Sequence, residues 1–130
     1  MPLNPALEGK TYPEATFTVD AERVARFREA LGDGRDDVPP TFATAAEFTV
    51  FPAIVSDPEL GLDFTRVVHA EQEYEWRRPL RVGETLTVRT LIASIRQKAG
   101  TGFLTIRSEL VGADGDVAVL AWATLIERSA

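Results

Sequence analysis

Few residues in this chain can do acid, base or nucleophilic chemistry, and they are widely spaced. Cysteine is absent, which removes disulfides, thiolate metal sites and cysteine nucleophiles. The single histidine, His69, stands in a strand-like run beside Glu71, Glu73 and Glu75. A metal needs several convergent ligands, so one imidazole among alternating carboxylates reads as a hydrogen-bonded or surface histidine, with use as a base the sharper alternative. Glu47, flanked by Ala46 and Phe48, loses its water if it faces inward. Desolvation then raises its pKa and suits it to activating a nucleophile; facing outward it is an ordinary solvated carboxylate. Arg77, Arg78 and Arg81 form a short basic cluster that either meets a phosphorylated ligand or is a solvated strand end.

The field around these groups is acidic. A net charge of -6 opposes attraction to phosphate backbones and anionic membranes, so neither nucleic acid nor membrane is an expected partner. No window approaches eighteen apolar residues, and the N-terminus has neither the basic nor the apolar part of a leader. A cytoplasmic protein is expected. Nothing in the chain calls for a cofactor.

The elements that must position these residues can be read from periodicity. Tyr12 to Val19 has strand character, and Asp20 is placed to cap a helix with Val24, Phe27 and Leu31 as its apolar stripe and Gly32 as its stop. Gly32 to Pro40 is a polar, turn-rich connection. Thr41 then caps a second, buried helix from Phe42 to about Val55, with Ala43, Ala45, Ala46, Phe48, Phe51 and Ile54 facing the core and Pro52 bending it or ending it early.

Four strands follow. In Val67 to Trp76 strict alternation puts Val68, Ala70, Gln72, Tyr74 and Trp76 on one face and His69, Glu71, Glu73 and Glu75 on the other. Thr85 to Ile95, Phe103 to Val111 and Val117 to Ile126 come next, with turns near 98–102 and 113–116. The last is apolar on both faces and belongs inside the sheet or at a subunit interface. One α+β domain spanning 1–130 is expected, an antiparallel sheet with helices on one face. Its open edges predict a dimer or larger assembly.

This order, with the Pro39 to Phe42 motif and the run from Val67 through Arg77, Pro79, Arg81 and Gly83 to Val88, resembles the MaoC-like dehydratase family. The likeness is greatest to the noncatalytic halves of double hot-dog hydratases and to the substrate-binding subunit of mycobacterial hydroxyacyl-ACP dehydratase. It implies a single hot-dog fold with the sheet wrapped around a central helix, an acyl-CoA or acyl-ACP thioester as ligand, and reversible hydration of an enoyl thioester. Catalytic members carry an Asp-x-Asn-Pro-x-His loop after the first helix. Here Asp33 matches the acid, Arg35 and Asp36 replace the Asn-Pro pair, and Val38 stands where the histidine belongs. The loop also runs almost directly into Pro39, so the segment that covers substrate in catalytic relatives is trimmed.

Three functions remain open. The chain is an acyl-binding, noncatalytic subunit paired with a catalytic MaoC-like protein, with Phe42, Phe48, Phe51 and Ile54 lining an acyl tunnel and Arg77, Arg78 or Arg81 meeting the carrier phosphate. Alternatively it works alone, as a hydratase through Asp33 and an unusual partner such as His69, or as a thioesterase through Glu47. The third reading is a homo-oligomeric binder that has kept the fold and lost the chemistry.

Overall fold

The computed structural model describes residues 3–129. Asp20 is the expected cap of α1 (Ala21–Leu31): its backbone is extended and its carboxylate accepts from the Arg23 N–H. Gly32 ends the helix at φ 69°, a left-handed position where a glycine carries no Cβ penalty, and its N–H returns to the carbonyls of Arg28 and Glu29. Val24 is fully buried and Phe27 packs on the core, but Leu31 is 55% exposed, so the apolar stripe is shorter than its spacing suggested.

The connection that follows is not wholly exposed. Arg28 donates to the carbonyls of Asp36 and Asp37, and this clamp turns Val38 and Pro39 into the core. The second helix is broken in two. A 3-10 turn over Pro40–Phe42 leads into α2 (Ala43–Glu47), and α3 (Phe51–Val55) begins after three residues. Thr41 lies inside the turn, and α2 has no side-chain cap. The cause of the break is Pro52: in an unbroken helix its nitrogen would face the Phe48 carbonyl, and it has no hydrogen to donate. The Phe51 N–H takes that carbonyl instead, and Pro52 occupies a first helical turn, where a missing N–H costs nothing.

The strands β1 (Ala15–Thr18), β2 (Val67–Trp76), β3 (Thr85–Lys98), β4 (Thr101–Val111) and β5 (Val117–Glu127) form one sheet in the order β1-β3-β4-β5-β2. Every pairing is antiparallel. β3 and β4 meet in a two-residue hairpin at Ala99 and Gly100, both at positive φ, the backbone that matches strand twist. Leu86, Val88, Ile92, Leu104, Ile106, Leu110 and Val119 are buried, and with Phe42, Ala43, Ala46 and Ile54 of the helices they make one core. This is the expected hot-dog arrangement, with β5 inside the sheet as foreseen and β2 at an edge.

The face assignment of β2 requires correction. A bulge at Ala70 shifts the register between His69 and Glu71. Trp76, Tyr74 and Gln72 oppose Val119, Ala121 and Ala123, and beyond the extra residue His69 opposes Leu125. These four partners alternate along one face of β5, and Gln72 and Tyr74 reach Glu47 of α2 from it, so His69 joins Gln72, Tyr74 and Trp76 on the helix side of the sheet while Glu71, Glu73 and Glu75 stay on the outer side. No helix among the described residues is long and apolar enough to cross a membrane.

Candidate functional site

The loop after α1 holds the first sequence candidate. Asp33 accepts from the Arg35 backbone N–H at 3.0 Å, and its two oxygens accept from Nε and Nη2 of Arg35, each at 3.1 Å. The Arg35 side chain and backbone bonds hold the Asp33 carboxyl below its ordinary range. A carboxylate so engaged is a weak base. Val38, five residues on, is 7% exposed and belongs to the core.

A polar network lies instead where α2 meets β2. Glu47, on the last turn of α2, is fully buried. Its Oε1 accepts from the Tyr74 hydroxyl at 2.7 Å and its Oε2 from Gln72 Nε2 at 2.9 Å. Thr44, one turn before Glu47, bonds the Tyr74 hydroxyl, and Gln72 Oε1 lies 3.0 Å from His69 Nε2. Burial pushes the Glu47 carboxyl up; the bonds from Tyr74 and Gln72 and the charge of His69 only partly offset it. Burial likewise raises the Tyr74 hydroxyl well above its ordinary range. Of the two sequence readings of Glu47, the desolvated one stands.

Thr44, Gln72 and Tyr74 were not among the sequence candidates. Their signal was faint but physical: a glutamine and a tyrosine alternating on the helix-side face offer donors to the one acid carried by the apolar helix. His69 was kept apart from Glu47 because strict alternation put it on the outer face, and the bulge brings the two together.

The four aromatic and aliphatic candidates divide. Phe42 is 2% exposed between Phe17 and Phe27, with ring centroids at 6.0 and 5.4 Å, and Ile54 is fully buried. Both belong to the core, and Phe42 also borders a shallow recess with Arg23, Arg26, Phe27 and Ala45. Phe48 and Phe51 stack at 4.4 Å and, with Pro52, Val55 and Phe64, form the walls of an apolar cleft of about 370 Å³. The ring of His69 packs against Phe48 at 5.9 Å.

The arginines divide too. Arg78 donates to Glu84 at 2.8 and 3.1 Å and to Asp116 at 2.6 Å, with its side chain only 17% exposed. It joins the β2 end to the β4–β5 turn, and with a further bond to the Pro79 carbonyl four of its five N–H donors are engaged within the chain. Truncation by Arg78→Ala is expected to cost about 2 kcal/mol, because it strands a half-buried carboxylate; a urea midpoint unchanged from wild type would refute this. Arg77 pairs with Glu75 at 3.1 Å on the surface. Among the described residues the Arg81 guanidinium has no ion pair, while its backbone N–H is held by Glu84. Beside them, Trp76 donates to the Pro40 carbonyl at 3.2 Å across a second cleft of about 410 Å³ between Val38–Pro40 and Trp76–Leu80. No group of three or more metal-binding side chains converges among the described residues.

Comparison with known proteins agrees with this architecture. A family model described as the FAS1-like dehydratase domain region matches residues 34–120. A UPF0336 protein of Streptomyces coelicolor is 37% identical, with 100% of this chain and 98% of that protein covered. That alignment runs over 147 positions, more than the 130 residues here, so the relative carries residues without a counterpart in this chain. Among solved structures, the truncated HadBC (3R-hydroxyacyl-ACP dehydratase) complex of Mycobacterium tuberculosis matches with a TM-score of 0.79 at 22% identity, covering 92% of this chain and 96% of that one. The (R)-hydratase from A. caviae involved in PHA biosynthesis matches with a TM-score of 0.63 at 17% identity, covering 91% and 94%.

Proposed function

The chain belongs to the FAS1-like dehydratase-region family, and from that premise we propose that it is the acyl-thioester-binding subunit of an (R)-specific enoyl-thioester hydratase or 3-hydroxyacyl-thioester dehydratase, with no hydration centre of its own. The observation that carries this reading is the loop after α1. Hydration needs one group to take a proton from water and another to support the developing enolate, both poised near working pH. Here the acid is neutralised in place by Arg35 and the position of the family's histidine is a core valine.

What remains suits binding. The cleft of Phe48, Phe51 and Phe64 offers an apolar surface open to solvent, and Phe64 is 60% exposed. β2 is an edge strand with Val68 and Trp76 also exposed, a surface that pairing with a second hot-dog subunit would cover. Family likeness to the HadBC complex supports a heteromeric partner that carries the Asp-x-Asn-Pro-x-His loop. Arg77 and Arg81 are the cations left to meet the phosphate of a CoA or acyl carrier protein.

The thioesterase reading through Glu47 is less well supported. Both of its oxygens already accept hydrogen bonds and none of its surface is open, so water has no route to it in this chain. A complex of this chain with a catalytic partner tests the proposal. Asp33→Ala in this chain is expected to leave turnover within about twofold of wild type, whereas loss of the partner's loop histidine abolishes it by the several orders of magnitude that general acid–base catalysis supplies. Loss of turnover in the Asp33→Ala complex would overturn it.

A further inference from the structure

His69 is the one histidine of the chain, and the network around it leaves a single chemical option. Glu47 Oε2 accepts from Gln72, and only the amide NH2 can donate there, so the Gln72 Oε1 is turned toward His69. An oxygen at 3.0 Å from Nε2 requires a hydrogen on that nitrogen. The neutral ring is therefore the Nε2–H tautomer, and its Nδ1 presents a bare lone pair that meets no donor among the described residues. The Ala70 bulge puts this ring on the helix side of the sheet, against Phe48 and so at the rim of the aromatic cleft.

An apolar cleft with one free acceptor at its rim selects a chain that is apolar along its length and carries one hydrogen-bond donor. The geometry points to His69 Nδ1 as the group that reads the hydroxyl of a hydroxyacyl chain lying against Phe48, Phe51 and Phe64. Glu47 and Gln72 act as positioning residues: they fix which nitrogen is free. This rests on the acyl-binding reading and deepens it by naming the hydroxylated acyl thioester, and not the saturated or enoyl one, as the preferred ligand. A saturated chain fills the same cleft and leaves Nδ1 facing water, so the discrimination is that of one exposed hydrogen bond, about threefold to tenfold in Kd.

Calorimetric titration of the purified chain with 3-hydroxydecanoyl-CoA and decanoyl-CoA tests it. The expected result is tighter binding of the hydroxylated ligand by that factor in wild type and equal binding of the two ligands in His69→Phe. A second readout separates recognition from packing. Because the chain has one histidine, a long-range proton–nitrogen NMR spectrum reports its tautomer directly, and the Nε2–H form is expected. In Glu47→Gln the new amide NH2 turns Gln72 over, which moves the hydrogen to Nδ1 and removes the preference. Equal binding of both ligands to wild type, a preference that survives in His69→Phe, or an Nδ1–H wild type would overturn the inference alone. Failure of both ligands to bind would overturn the acyl-binding reading and the inference with it.

Discussion

Glu47→Ala is expected to lower the unfolding free energy by about 3 kcal/mol, read from urea denaturation at neutral pH. The substitution removes the acceptor of the Gln72 amide, leaves the Tyr74 hydroxyl only Thr44 to bond, and opens a void where α2 meets β2. Glu47→Gln keeps the volume and an oxygen for Tyr74, so its cost at neutral pH is about 1 kcal/mol or less. The pair also reports the charge. Burial raises the folded-state pKa of Glu47 above the ordinary 4.5, so across the window between the two values the folded chain binds more protons than the unfolded one. Stability from this group is full below pH 4.5 and is lost as pH rises through the folded value. The stability of wild type relative to Glu47→Gln must therefore decline with rising pH over that window. A difference that rises, or stays flat, would contradict a desolvated carboxyl.

Phe42→Ala is the second large effect, expected at about 3 to 5 kcal/mol and with a fall in Tm of roughly 10 °C or more. Phe42 is a closed core residue, edge-on to Phe27 and tilted against Phe17, and nothing replaces it when it is removed. Phe51→Ala is the informative contrast. Its ring is half-buried and stacked on Phe48 at the cleft, so its loss costs less than about 2 kcal/mol in stability but weakens acyl-CoA binding roughly tenfold. Should Phe42→Ala instead fold normally and lose acyl binding, the tunnel expected from the sequence would lie along Phe42 after all.

These contrasts show what periodicity can and cannot locate. The Asp20 cap, the Gly32 stop, all four long strands and the turn at Gly115 were legible, because each rests on a local rule: a side-chain acceptor, a left-handed backbone, or alternation over eight or more residues. The bulge at Ala70 was not. One inserted residue changes neither composition nor propensity, yet it reverses the face of every residue beyond it, and His69 was misplaced for that reason. The break before α3 was half legible: Pro52 announced an interruption, but the lost bond falls four residues upstream, so the helix parts at Phe48 to Val50.

The candidate site divides in the same way. The departure from the Asp-x-Asn-Pro-x-His pattern at Arg35, Asp36 and Val38 could be read directly, since a missing residue type needs no fold to be noticed. The Glu47 network joins residues 25 and 27 positions apart on two elements, and only the packing of α2 on β2 makes it visible. Phe48 and Phe51 look like Phe42 and Ile54 in sequence, and the helix break alone decides that the first two reach the surface. Arg78 looked as free as Arg77 and Arg81 until the β4–β5 turn brought Asp116 to it.

The central claim is that this chain binds acyl thioesters but does not hydrate them unaided. Hydration of crotonyl-CoA by the purified chain, with thioester hydrolysis followed in the same cuvette, tests it most directly. The account predicts no turnover of either kind above background for wild type, Asp33→Ala and Glu47→Gln alike, with hydration emerging only when a catalytic hot-dog partner is added. Hydration by the chain alone that disappears in Asp33→Ala would contradict it, and would place the missing base within reach of Asp33.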